Sequence, residues 1–134
     1  MDDRIIKGLA EAAETVRERA YSPYSGFCVG AAVLCGSGRI YTGVNVENAS
    51  YPVGLCAERA AFAAAVSAGE REFSAVAIAG GHGSGISPAS PCGMCRQFMK
   101  ELCADDLAVI VVTSHGEYRL FTLGELLPEG FVLK

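Results

Sequence analysis

Ile5, Ile6, Leu9, Ala12, Ala13, Val16 and Ala20 recur at intervals of three and four. With Asp2 or Asp3 available as N-cap and Tyr21-Ser22-Pro23 closing the pattern, the spacing predicts an opening amphipathic helix. From Phe27 to Leu34 small and β-branched residues take over. Gly36-Ser37-Gly38 then supplies a turn and Arg39 to Val44 resumes in extended style, which together predict a β-hairpin. Asn45 to Gly54 reads as a polar loop. Cys56 to Ala68 is dense in alanine and is followed by Gly69, so a second helix with a C′ glycine is expected. Ala75 to Ala79 has the length of a buried strand, and Gly80 to Ser90 reads as a Gly- and Ser-rich loop of no evident structure. Ser90-Pro91 offers an N-cap and a proline at the first helical position, opening a third helix through Leu102. Leu107 to Thr113 predicts a buried strand, His115-Gly116-Glu117 a turn, and Tyr118 to Thr122 an edge strand. A short helix over Leu123 to Leu127 stops at Pro128. Helices alternating with strands in this order predict an α/β fold, a three-layer α/β/α sandwich around a mixed sheet of about five strands.

The chain has 134 residues, 51% hydrophobic and 19% charged, which fits one domain spanning residues 1–134 and excludes disorder as its main state. Net charge is −4 and no Lys/Arg run is present, so nucleic acid is not an expected partner. The start, Met1-Asp2-Asp3-Arg4, is acidic where a signal peptide is basic. The longest apolar run, Ala60 to Val66, is far shorter than the ~18 residues of a membrane span. A soluble cytoplasmic protein without a membrane partner is the expectation, and its six cysteines are expected to be reduced thiols, some of them metal ligands.

Two of the expected helix starts carry chemistry: Cys56-Ala57-Glu58-Arg59 and Pro91-Cys92-Gly93-Met94-Cys95. Helix positions three apart have Cβ atoms about 5 to 6 Å apart, so Cys92 and Cys95 can share one ion. Cys56 is the natural third ligand, because a helix N-terminus favours the thiolate. Three sulfurs on zinc leave one tetrahedral position open, the pattern of a catalytic centre. Cys-x-x-Cys by itself also suits a redox pair, half a zinc ribbon or two buried thiols, and a closed site with His82 or His115 as fourth ligand is the main structural alternative. Glu58 argues for catalysis, since a carboxylate beside an open metal position can take and redeliver a proton. Cys28, Cys35 and Cys103 read as small buried hydrophobes.

Cys-x-Glu followed by Pro-Cys-x-x-Cys matches the known signature of zinc deaminases. Together with Tyr24-Ser25-Gly26-Phe27, Asn45-Val46-Glu47-Asn48-Ala49-Ser50-Tyr51-Pro52, Arg96-Gln97 and Leu126-Leu127-Pro128, the chain closely resembles the small cytidine deaminases of the homotetrameric, all-cysteine type, from Pro23 to Phe131. That resemblance implies one Zn²⁺ per chain on Cys56, Cys92 and Cys95, with Glu58 as proton shuttle. It implies that Asn45 and Glu47 hold ribose hydroxyls, that Phe27, Val46, Tyr51 and Ala57 line the nucleoside pocket, and that Phe131 stacks on the pyrimidine from a neighbouring subunit. Arg59 resembles the arginine that hydrogen-bonds the ligand thiolates. Three thiolates and Zn²⁺ sum to −1, a charge that a guanidinium offsets. The implied reaction is hydrolysis of cytidine and 2′-deoxycytidine to uridine and 2′-deoxyuridine with release of ammonia, in pyrimidine salvage. A small deaminase of another aminopyrimidine and a non-catalytic zinc-stabilised module are the rival readings.

Overall fold

A computed structural model describes residues 1–133. The opening stripe folds as α1 (Asp3–Val16), capped by Asp2, whose side chain accepts the Arg4 N–H at 2.8 Å. The helix stops short of Ala20 because Arg17–Arg19 tightens into a 3-10 turn, and the buried stripe is Ile6, Leu9, Ala10 and Ala13, with Ile5 left exposed.

β1 (Phe27–Cys35) and β2 (Ile40–Val44) form the expected hairpin. β3 (Phe73–His82), β4 (Ala108–Ser114) and β5 (Glu117–Thr122) complete one sheet of order β2-β1-β3-β4-β5. Only β3 and β4 pair in parallel; the other neighbours are antiparallel. A parallel pair needs a crossover, and α3 (Gly93–Leu102) provides it. α2 (Ala57–Ser67) follows the hairpin, and α4 (Leu123–Leu126) closes the fold, started by a capping box between Thr122 and Glu125.

Alternation along the strands sorts the core into two layers, as the α/β/α expectation requires. Ala31, Val33, Val76, Ile78, Val109 and Val111 pack with Phe62 of α2 and Met99 of α3. Ala32, Ala75, Ala77, Ala79, Ile110 and Val112 pack with Leu9 and Ala13 of α1 on the opposite face. Among the described residues no helix is long and apolar enough to cross a membrane.

Three expectations need correction. β3 runs on through Gly80 and Gly81 to His82, because β1 pairs with it there (Val29 with Gly80, Phe27 with His82) and tertiary pairing overrides the low strand propensity of glycine. α3 begins at Gly93 with Cys92 as N-cap, not at Pro91 with Ser90 as cap. Pro91 lies outside the helix, where its carbonyl accepts the Arg96 Nε–H at 2.8 Å. The polar loop after β2 contains a 3-10 turn, Tyr51–Val53, with proline in its first turn.

The registers put the start of β1 and the ends of β2 and β3 at one end of the sheet. The loops into α2 and α3 leave from that end, the usual place for a ligand in an α/β sheet. α2 can lie close over β2 because position 43 is glycine: a Cβ there would be 2.4 Å from the Ala61 amide nitrogen. Gly43→Ala should therefore destabilise the fold by about 2 to 3 kcal/mol through forced displacement of α2. Gly8→Ala, at an exposed α1 position with nothing within 4 Å of the new Cβ, should stabilise it by about 0.5 to 1 kcal/mol. Urea denaturation of the two variants checks both signs.

Candidate active site

α2 and α3 begin in the same way. Cys56 and Cys92 are their N-cap residues, both with extended backbone, and neither side chain accepts a capping hydrogen bond. Ser, Thr, Asp or Asn at such a position would satisfy a free N–H of the first turn. Here the two sulfurs turn toward each other instead, with their Sγ atoms 3.9 Å apart. Cys95, one turn into α3 and fully buried, brings a third Sγ, and the three ligand atoms lie within 4.8 Å of one another.

Sulfurs about 2.3 Å from a tetrahedral zinc ion are about 3.8 Å apart, so this donor set fits zinc in both chemistry and spacing. The protonation pattern carries the same signal. The Cys95 thiol, with help from Arg59, holds the Cys56 thiol down at about 5, while the Cys56 thiolate and burial push Cys95 far up. Three adjacent thiolates cannot coexist without a compensating cation, and a divalent metal is such a cation. The Arg59 guanidinium lies beside the sulfurs, where its Nη2 donates to Cys56 Sγ at 3.4 Å.

Glu58 is the second residue of α2 and is 5% exposed. Burial pushes its carboxyl up to about 7, with the neighbouring Cys56 adding to the shift. It lines a cavity of about 360 Å³ with Phe27, Asn45, Cys56, Ala57 and Cys92. A second cavity of about 420 Å³ adjoins it, sharing Asn45 and Cys56 and lined also by Val46, Glu47 and Tyr51. The residues expected to bind a nucleoside therefore surround one composite cleft, with Phe131 the exception.

Asn45 and Glu47 already have structural duties. Asn45 Oδ1 accepts the Val29 N–H and its Nδ2 donates to the Phe27 carbonyl, both at 2.9 Å, so the amide extends the β1–β2 ladder by one side chain. One Nδ2 hydrogen and one lone pair stay free for a ligand. Glu47 accepts the Tyr24 and Ser25 N–H groups at 2.9 and 3.1 Å and the Ser25 hydroxyl, and that hydroxyl, above all, holds its carboxyl below the usual range.

Comparison with known proteins agrees with this geometry. Residues 4–112 match the family model described as the cytidine and deoxycytidylate deaminase zinc-binding region. A cytidine deaminase of Sporosarcina psychrophila is 42% identical over 94% of this chain and 90% of its own length. One from Halalkalibacterium halodurans is 44% identical over 92% and 91%. The crystal structure of cytidine deaminase from Burkholderia pseudomallei superposes with a TM-score of 0.86 at 44% identity, covering 98% of this chain and all of that one. The chain belongs to the cytidine and deoxycytidylate deaminase family. It is an enzyme of that family, and its Cys56, Cys92 and Cys95 cluster falls within the matched zinc-binding region.

Other candidate residues lie at the edge of this cleft or away from it. Tyr51 is 81% exposed and Phe131 66% exposed, and Phe131 lines neither cavity of its own chain. His82 packs edge-on against Phe27, and His115 lies against Glu14 and Ser84, so neither joins the sulfur cluster. Cys35 is buried as expected, whereas Cys28 and Cys103 are only partly so. Pro88, Ala89 and Ser90 form a wall of the Glu58 cavity; no motif marks them, and their signal in the sequence is a Gly- and Ser-rich loop, of a kind that often borders a site, directly before Pro91-Cys92.

The thiolate is the reactive form of cysteine. After metal is stripped with a chelator, brief iodoacetamide treatment at pH 7 should label Cys56 first. Cys103, which burial pushes up to about 12, and buried Cys35 should be labelled last. Peptide mass mapping reads the order; early labelling of Cys103 would contradict the site electrostatics.

Proposed function

We propose that the chain hydrolyses cytidine and 2′-deoxycytidine to uridine and 2′-deoxyuridine, releasing ammonia, with one zinc ion per chain held by Cys56, Cys92 and Cys95. The observation that carries this reading is the buried Glu58 carboxyl on the wall of a cleft that Cys56 and Cys92 of the sulfur cluster also line. Zinc bound there supplies a Lewis acid that makes water a competent nucleophile at neutral pH.

The remaining work falls to the chain itself. Glu58 takes a proton from the attacking water and passes it to ring N3, which makes C4 electrophilic. Oxygen bonds to C4; Glu58 then takes the second proton from the C4 hydroxyl and delivers it to the exocyclic amino group as the C4–N bond breaks, so that ammonia leaves and the carbonyl of the uracil ring forms. Arg59 offsets the charge of the sulfurs through its bond to Cys56. Asn45 offers its free amide hydrogen, and Glu47 its carboxylate, to the ribose hydroxyls, which places C4 beside the reacting groups. Ala57 and Phe27 bound the base, with Val46 and Tyr51 at the ribose side.

Phe131 completes the pocket of a neighbouring subunit in a homotetramer. Its exposure, and that of Tyr51, supports a cleft that is closed by another copy. The residues 1–134 act as a single catalytic domain, placed in the cytoplasm and serving pyrimidine salvage.

Cytidine should lose its characteristic ultraviolet absorbance on incubation with the protein. Glu58→Gln should keep wild-type zinc content and melting temperature yet lower kcat by about 10³-fold or more, because an amide cannot relay the proton. Turnover within tenfold of wild type in that variant would remove Glu58 from the chemistry.

A further inference from the structure

The residue pair that follows the last sulfur ligand reaches away from the metal cluster, toward the C-terminal segment. Arg96 binds two carbonyls at 2.8 Å, that of Pro91 through Nε and that of Leu126, at the end of α4, through Nη1. Gln97 Nε2 donates to the Phe131 carbonyl at 2.8 Å, and the Phe131 N–H points back to Gln97 Oε1 at 3.5 Å. One carboxamide thus grips both polar groups of one residue. Between these two anchors the chain turns through a Gly130 N–H to Leu127 carbonyl contact at 3.4 Å. A Cβ on Gly130 would lie 2.6 Å from a Leu127 methyl and 3.0 Å from Lys100 Cγ, so the turn is pressed against α3.

We infer that Gln97 is a positioning residue: its two-point grip on the Phe131 backbone presents the Phe131 ring to the neighbouring subunit's pocket. This rests on the reading that Phe131 closes that pocket. Residues 131–133 belong to no helix or strand; such a segment is mobile unless it is tied down, and ordering it only at substrate binding costs affinity. The Phe131 ring makes no use of the grip within its own chain, since it is exposed and lines neither cavity. Its backbone is nonetheless held from both sides. Gln97 therefore lowers the cost of delivering the ring, an effect on substrate binding rather than on proton transfer.

Gln97→Met keeps the side-chain length without donor or acceptor. It should raise the KM for cytidine about three- to tenfold while kcat stays within about twofold and zinc content is unchanged. Phe131→Ala should raise KM by at least as much. The deciding step mixes each variant with Glu58→Gln subunits, with exchange followed by native mass spectrometry. Hybrid sites that take Glu58 from the variant parent and the residue 97–131 pair from the Glu58→Gln parent should recover the wild-type KM.

An unchanged KM in Gln97→Met, or a raised KM that hybrids do not restore although Phe131→Ala hybrids are restored, would overturn the role of Gln97 and leave that of Phe131 standing. No KM change in Phe131→Ala, or no restoration in its hybrids, would instead overturn the shared pocket and the grip with it. Gln97→Glu keeps the acceptor but sets a carboxylate against the Phe131 carbonyl; it should show the same restored KM defect, and its results count the same way if the Met variant misfolds.

Discussion

Two helices of this fold start at the same point in space, and a cysteine stands at the N-cap of each. Neither caps its helix, so free N–H groups of the first turns are left without the usual side-chain partner, and the partial positive charge of both termini bears on the sulfurs. That arrangement favours thiolate where a cation can be held, and Cys95, one turn further on, completes the set. The position of Glu58 follows from the same constraint. Two residues past one N-cap it is carried into the interior beside the sulfurs, and the burial that raises its proton affinity is imposed by the packing of α2 on the sheet. Gly43, by admitting α2 to close range, is thus connected to the chemistry through one layer of packing.

The cleft is lined by polar groups that the fold itself already fixes. Asn45 closes the hairpin ladder at the mouth of the site, and Glu47 ties down the turn before β1 through Tyr24 and Ser25. A side chain fixed by two or three hydrogen bonds loses little freedom when a ligand arrives, which is how a site on loops reaches the precision that oriented catalysis needs. Tyr51 and the Phe131 ring are not fixed in this way and stand exposed in a single chain.

Most of the fold is legible in the sequence because period, caps and glycine punctuation agree. The stripe in α1, the turn at residues 36–38, the alanine run of α2 and Gly69 after it all point the same way. The larger misreading occurs where a distant partner decides. Gly80 and Gly81 become strand because β1 lies alongside, whereas the start of α3 differs only by a local shift, to Gly93 behind the Cys92 N-cap. Spacing on one helix start brings Cys92 and Cys95 together, but Cys56 meets them across two segments far apart in the chain, so its place in the cluster is legible only through the resemblance to a known signature. The structural bonds of Asn45 and Glu47, the wall at residues 88–90 and the grip on Phe131 depend on contacts between segments far apart in the chain, which periodicity does not encode.

X-ray absorption at the zinc edge of the purified protein tests the meeting of three sulfurs most directly. Three sulfur neighbours at about 2.3 Å and one lighter neighbour at about 2.0 Å are expected, the lighter position belonging to solvent or substrate. On adding a uridine-like inhibitor, the three sulfur distances should stay while the lighter neighbour changes. A spectrum with four sulfurs, with fewer than three, or with no zinc bound to a folded and active protein would contradict it.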